Sequence, residues 1–147
     1  MIIDCPPSIS SLSLSALRAA QRILVPMTAD QFALHGLPIL LRSLEKYREV
    51  LDIKAVVAGV VLSMFPPATD KEATMKAQQY ARSISDRCSQ SIPPVRCLDA
   101  RISRHDAYPN SFVSQTPLAF SDDPELVPLV SELQDLWGEI APAGVSQ

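Results

Sequence analysis

The sequence predicts an α/β fold with a doubly wound, mostly parallel sheet, and three observations lead to this prediction. Runs of aliphatic residues at positions 1–4, 22–26 and 55–63 are apolar almost throughout. Such runs are typical of strands buried on both faces of a parallel sheet. Segments with helical periodicity separate them, so strands and helices alternate as they do in βαβ units. The chain has 147 residues, 47% of them hydrophobic, which suffices for one domain with its own core.

The elements follow one another in a simple order that begins with a strand at residues 1–4, which we expect to be central in the sheet. The helix at residues 36–51 has leucines at steps of three and four, and the helix at 69–89 begins with a possible capping box of Thr69 and Glu72. A fourth strand is only weakly indicated, because two prolines within it have no N–H to donate. The remaining elements are predicted helices at 12–21 and 122–140 and strands at 22–26, 55–63 and 92–97.

Composition excludes several classes of protein. The three cysteines, Cys5, Cys88 and Cys97, are odd in number and lack metal-site spacing, so neither a disulfide framework nor a zinc ribbon is expected. No run of 18 apolar residues and no signal peptide is present, which predicts a cytoplasmic protein that does not enter membranes. The chain has only four glycines, no two of them close together, so it contains no glycine-rich phosphate loop.

The sharpest local signal is the octapeptide MIIDCPPS at the start of the chain. In open α/β sheets ligands bind outside the carboxyl ends of the strands, so Asp4 is expected beside a ligand crevice. A lone carboxylate in that position suits Mg²⁺, which keeps several waters and also binds phosphate oxygens. The prolines that follow have no N–H, so the free donors flanking the turn belong to Cys5 and Ser8. The alternative is that Asp4 merely caps a turn.

The longer pattern resembles the ParA-type partition ATPases, within the wider MinD/ParA group of P-loop proteins. The resemblance comprises MIIDCPPS, the helix with Ala16, Leu17 and Ala20, the strand ending at Pro26, and the motif FALHGL at 32–37 before a leucine-rich helix. Further on, residues 59–65 (GVVLSMF) resemble the next strand of the family. Residues 91–120 resemble its final strand with the loop and short helix after it.

The resemblance implies a dimeric ATPase that uses ATP and Mg²⁺, binds DNA without sequence preference, and is stimulated by a centromere-binding, ParB-like partner protein. Asp4 would be the Walker-B acid that holds Mg²⁺ through water. The switch loop that senses the γ-phosphate would be Cys5, Pro6, Pro7 and Ser8. Residues near the adenine, by position in the family, would be Met64, Phe65, Pro93 and Pro94.

A positive segment supports DNA binding independently. Residues 82–105 hold five arginines and two acids, whereas the rest of the chain holds eight basic and fourteen acidic residues. A local positive patch on an acidic protein is typical of binding to phosphate backbones. The alternative is a solvated polar helix with scattered arginines. The candidates for DNA contact are Arg82, Arg101 and Arg104.

Two functions therefore remain open from the sequence. The first is a ParA-type ATPase for plasmid or chromosome partitioning, located in the cytoplasm on the nucleoid. In this reading residues 1–140 form an ATPase domain without its N-terminal P-loop half, inactive alone, and residues 141–147 form a frayed tail. The second is a non-catalytic interaction or regulatory module that has lost the ATPase half. ATP binding distinguishes the two.

Overall fold

Within the residues that the structure describes, the chain forms three parallel strands and five α-helices. The computed structural model describes residues 1–6, 8, 10–120 and 123–141. Two short 3-10 turns, Leu118–Phe120 and Pro124–Leu126, lie before the last helix. The main elements in chain order are α1 (Ser11–Ala19), β1 (Arg22–Thr28), α2 (Gln31–Leu51), β2 (Val56–Phe65), α3 (Lys71–Ser89), β3 (Cys97–Ser103), α4 (Ala107–Ser114) and α5 (Val127–Ile140).

The sheet has the order β1-β2-β3, and both pairs of neighbours run parallel. Its central strand, β2, is the most buried, as its continuous run of valine and leucine predicts. The predicted α/β class with a parallel sheet is therefore confirmed. One face of the sheet packs on α2 and α3 through a single core, whose buried members are Val25, Ala33, Leu37, Val60, Leu62, Ala81, Ile84 and Cys88.

Helix α5 packs against β3, the strand at one edge of the sheet. Leu129 of α5 forms a second, smaller core with Ala107 and Leu118. Gly59 on β2 lets Leu98 of β3 approach closely, because a Cβ atom at Gly59 would lie 2.6 Å from Leu98 Cδ2. Among the residues that the structure describes, none of the helices has the length and apolar character needed to cross a bilayer.

Two helices begin at positions other than those predicted, because acids cap them. Helix α2 starts five residues early, where the side chain of Asp30 accepts a hydrogen bond from the backbone N–H of Ala33. Helix α3 is capped by Asp70, which accepts from Ala73 N, so the predicted capping box at Thr69 is wrong. A carboxylate that accepts one of the free N–H groups of the first turn fixes each starting point.

The prediction of a strand at residues 1–4 is wrong. This segment has no regular structure, and Met1 and Ile2 are fully or largely exposed. A strand exists only through hydrogen bonds to a neighbour, and no strand pairs with this segment in the described part of the chain. The fourth predicted strand is displaced: it occupies Cys97–Ser103 rather than 92–97, because the paired prolines lie in the preceding bend.

Candidate functional site

The segment before α1 contains the predicted Walker-B acid and switch loop. Asp4, Cys5, Pro6 and Ser8 are all exposed, and Pro7 lies outside the described residues. The Ser8 carbonyl accepts a hydrogen bond of 2.9 Å from the hydroxyl of Ser13, a buried residue in the first turn of α1. This bond anchors the end of the segment to the helix.

Serine hydroxyls explain how α1 begins so close to this segment. The Ser13 hydroxyl accepts from Ser10 N at 2.8 Å, and the Ser10 hydroxyl accepts from Ser13 N at 3.4 Å. This reciprocal pair is a capping box built from two serines, and it satisfies N–H groups that the helix leaves free. The serine-rich composition of residues 8–15 therefore has a structural role at the helix start. In the described residues, α1 has no extensive contact with another element.

A cleft of about 320 Å³ lies at the carboxyl ends of β1 and β2, beside the first turns of α3. This is the edge of an open α/β sheet at which ligands generally bind. Its walls combine an aromatic ring, a thioether, one ammonium group and one carboxylate. The lining residues are Thr28, Ala29, Asp30, Met64, Pro66, Ala73, Lys76, Ala77 and Tyr80.

Asp30 carries a negative charge in this cleft at neutral pH. The Thr28 hydroxyl donates to Asp30 Oδ2, and the Ala33 backbone N–H donates to Oδ1 at 2.8 Å. These bonds hold the pKa of the Asp30 carboxyl below its usual range, with the Thr28 hydroxyl making the largest contribution. The carboxylate thus both caps α2 and faces the cleft.

Lys76 supplies the opposite charge. Its ammonium group donates to Glu72 Oε1 at 2.6 Å, one turn earlier on α3, and this bond raises the pKa of Lys76. The pair is largely exposed, so it contributes little to stability. Half-buried Tyr80 lies one turn further along the helix and presents a ring to the same cleft.

The four residues predicted near the adenine do not lie together. Met64 has a left-handed backbone, with φ of 56°, and lines the cleft, whereas Phe65 beside it packs on the core. Pro93 and Pro94 are exposed in the loop before β3, which places them at the amino ends of the strands. Because the sheet is parallel, that is the end opposite Met64.

The predicted DNA-contacting arginines have different surroundings. Arg82 on α3 and Arg104, just after β3, are exposed. Arg101 is half-buried, and its guanidinium donates to the carbonyls of Leu98 and Ala100 in its own strand. The positive segment is therefore most accessible at Arg82 and Arg104.

Sequence reasoning missed Thr28, Asp30, Lys76 and Tyr80 as residues of one cleft. A signal for Asp30 was present, since this acid follows the apolar strand β1 as Asp4 follows residues 1–3. Lys76 and Tyr80 are one turn apart on α3, but only the packing of α3 against the sheet brings them to the strand ends.

One family model and several curated proteins are similar to parts of this chain. The family model "AAA domain" matches residues 1–56. The chromosome partitioning protein ParA of Caulobacter vibrioides is 42% identical over 65 residues, which are 44% of this chain and 24% of that protein. The chromosome-partitioning ATPase Soj of Treponema pallidum is 31% identical over 94 residues, 64% of this chain and 37% of that protein. The sporulation initiation inhibitor protein Soj of Bacillus subtilis is 34% identical over 70 residues, 48% of this chain and 28% of that protein.

This chain spans only about a quarter to somewhat over a third of the length of these curated relatives. The region matched by the family model includes the MIIDCPPS segment, α1, β1 and α2, which carry the resemblance read from the sequence. These similarities confirm the resemblance to the ParA-type partition ATPases over the part of the chain that they cover.

Proposed function

We propose that this chain is part of a ParA-type ATPase that partitions plasmid or chromosomal DNA. The observation that carries the proposal is the family match over residues 1–56, which contains the acid and proline-rich turn of MIIDCPPS. In this proposal residues 1–140 belong to the ATPase domain. The active protein is a homodimer on the cytoplasmic nucleoid, and a ParB-like centromere-binding protein stimulates it.

The MIIDCPPS segment would contact the triphosphate. The exposed Asp4 carboxylate is free to hold Mg²⁺ through water, a role for which a single carboxylate beside phosphate oxygens suffices. Mg²⁺, when bound, would neutralise charge that develops on the transferred phosphoryl group. The backbone N–H groups of Cys5 and Ser8 are the donors available to the γ-phosphate, since Pro6 and Pro7 have none.

The cleft beside β1 and β2 is a candidate for the rest of the nucleotide. Its volume of about 320 Å³ is at the lower end of the range for small-molecule sites. Met64 and Tyr80 offer the polarizable and aromatic surfaces on which a base stacks.

A substitution of Asp4 tests the proposed ATPase. In the product of the native gene, Asp4→Asn should reduce Mg²⁺-dependent ATP turnover by about 100-fold or more, because it removes the charge that holds the metal ion. Asp86→Asn is the matched control, since Asp86 is an exposed acid on α3 away from the strand ends. It should leave turnover unchanged.

The outcomes separate the two functions that the sequence left open. Turnover that is lost in Asp4→Asn and kept in Asp86→Asn supports the ATPase. A native gene product that neither binds nor hydrolyses ATP would contradict it and would favour the non-catalytic interaction module. Equal turnover in both variants would remove Asp4 from the proposed site.

DNA contact is proposed for the accessible arginines. Replacing Arg82 and Arg104 together by alanine should weaken binding to all duplex sequences alike and reduce the slope of log K against log salt concentration by about 2. Arg101→Ala should have a smaller effect, since its guanidinium is bonded to β3 carbonyls. Arg42 is exposed on α2, so Arg42→Ala serves as the control. A salt slope unaffected by the double change would contradict the proposal.

A further inference from the structure

Two cysteines from neighbouring elements, Cys88 and Cys97, lie in the same core. Cys88 is in the last turn of α3 and is completely buried, and Cys97 is the first residue of β3 and is only half-buried. The Cys97 side chain packs against the buried cluster that contains Cys88. Neither residue belongs to the cleft or to the MIIDCPPS segment, so the proposed function does not account for their pairing.

Hydrogen bonds to the backbone of Cys88 fix the position of this pair. The Cys88 carbonyl accepts from Val95 N at 3.0 Å and from the Ser91 hydroxyl at 2.7 Å. These bonds close the loop between the two cysteines and bring the start of β3 back to the end of α3. On the other side, Cys97 pairs in the sheet with Val60 of β2. Both thiols therefore lie on well-anchored backbone.

The two sulfurs differ in chemical character. The interaction with the Cys88 thiol and, to a smaller extent, the nearby Arg101 guanidinium lower the pKa of Cys97 to about 7. The interaction with Cys97 and burial raise the pKa of Cys88. At neutral pH the more accessible sulfur is thus substantially a thiolate, the form that reacts with oxidants. The buried sulfur remains a thiol beside it.

We propose that Cys88 and Cys97 form a reversible redox modification site, in which hydroperoxides oxidise Cys97 and Cys88 resolves the product as a disulfide. The Cys97 thiolate attacks one peroxide oxygen and the O–O bond breaks. The products are Cys97 sulfenic acid and, after protonation of the leaving group, water or an alcohol. The Cys88 thiol then gives up its proton, its sulfur attacks the Cys97 sulfur, and the S–O bond breaks, so that the departing hydroxide takes up a proton and leaves as water. A dithiol reductant reverses the reaction by thiol–disulfide exchange.

Such a disulfide would tie the end of α3 to the start of β3. It would close a loop of residues 89–96 and restrict the unfolded chain, so the oxidised protein should melt about 5 °C or more above the reduced protein. The same cross-link would fix the two elements that hold Arg82 and Arg101. This effect is independent of whether the protein hydrolyses ATP.

The test uses the full chain with Cys5→Ser, which leaves only this pair of cysteines. Hydrogen peroxide added to the native protein should yield an intact mass lower by two hydrogens and a peptide that links residues 88 and 97, both restored by dithiothreitol. The rate should rise with pH through a midpoint near 7. In concentrated urea, which separates the two thiols, the reaction should be at least about tenfold slower.

Single substitutions assign the two roles. Cys88→Ser should accumulate the sulfenic acid at Cys97, seen as one added oxygen that dimedone traps. Cys97→Ser should leave Cys88 unoxidised under the same conditions, because Cys88 is buried and protonated. Native protein that collects sulfenic acid without the 88–97 link would overturn the proposal. So would equal rates of cross-linking in the native protein and in urea, a comparison that needs no variant to fold.

Discussion

The two edges of the sheet differ in what binds the backbone hydrogen-bonding groups of the edge strand. At the β3 edge, α5 lies against the strand and places two carboxylates on its backbone: Glu139 accepts from Asp99 N at 3.1 Å and from Ala100 N at 2.5 Å, and Glu132 accepts from Ser103 N at 2.8 Å. At the β1 edge no further strand pairs with the outer side in the described part of the chain. Unpaired edge N–H and C=O groups favour association with other chains unless something blocks them.

The need for these carboxylates follows from the ladder between β2 and β3. The register shifts between the pairs Val60–Cys97 and Leu62–Arg101, where β3 advances by more residues than β2. Such an irregularity leaves backbone groups of the longer strand without partners. Glu139 binds N–H groups within this shifted stretch. At the β3 edge, side chains of α5 therefore accept hydrogen bonds from backbone N–H groups that the shifted pairing of β2 and β3 leaves free.

Removal of the Glu139 carboxylate should give the largest loss. Glu139→Ala leaves two backbone N–H groups of β3 without acceptors, and the free energy of unfolding should fall by about 2–3 kcal/mol. Urea unfolding of the variant and the parent measures this difference. The loss should come from the backbone bonds rather than from the ion pair between Glu139 and Arg96, since Arg96 is 54% exposed.

Two further variants separate these contributions. Arg96→Ala removes the ion pair but keeps both backbone bonds, so it should cost less than about 1 kcal/mol. Glu139→Gln keeps one acceptor oxygen and should lie between the parent and Glu139→Ala. If Arg96→Ala proved as costly as Glu139→Ala, the ion pair would be the main interaction and the edge explanation would fail.

At the open edge the largest expected effect is at the end of β1, where Asp30 caps α2. Asp30→Ala should lower the free energy of unfolding by about 1 kcal/mol at pH 7. Because folding lowers the pKa of Asp30, its charged form stabilises the protein above the unfolded value of 3.8, and this stabilisation is lost as the pH falls below it. The difference between parent and Asp30→Ala should therefore shrink below pH 4 in urea melts recorded across pH. Asp30→Asn keeps a capping oxygen and should show little loss at either pH.

The sequence predicted most of the fold because its signals are local. The apolar runs of β1 and β2 and the helical periodicity of α2, α3 and α5 identified these elements, with errors at their ends. Strand β3 is displaced from the predicted segment 92–97, and the alternation of Leu98, Ala100 and Ile102 indicates its correct position. The failed strand at residues 1–4 shows that an apolar run does not form a strand without a partner.

The candidate site was less predictable, because it depends on which ends of the elements meet. Met64, which the family resemblance places near the adenine, lines the cleft. Pro93 and Pro94, which the same resemblance places near the adenine, precede β3 and therefore lie at the opposite ends of the parallel strands. No local pattern indicates that Glu132 and Glu139, two turns apart on α5, face the backbone of β3.

The smallest effect on stability is expected from the open edge itself. Pro26 is an exposed residue in the middle of β1, a position that proline tolerates only in edge strands. Pro26→Val adds an N–H donor and a residue that favours strands, so it should change the free energy of unfolding by less than about 0.5 kcal/mol. It should nevertheless increase self-association, because an edge with one more donor is a better template for another strand. Sedimentation velocity over a range of concentrations measures the self-association. Ile39→Val, at an exposed position of α2, is the control. If Pro26→Val left association unchanged while Glu139→Ala increased it, the β3 edge would be the more adhesive of the two, and the carboxylates of α5 would be its main protection.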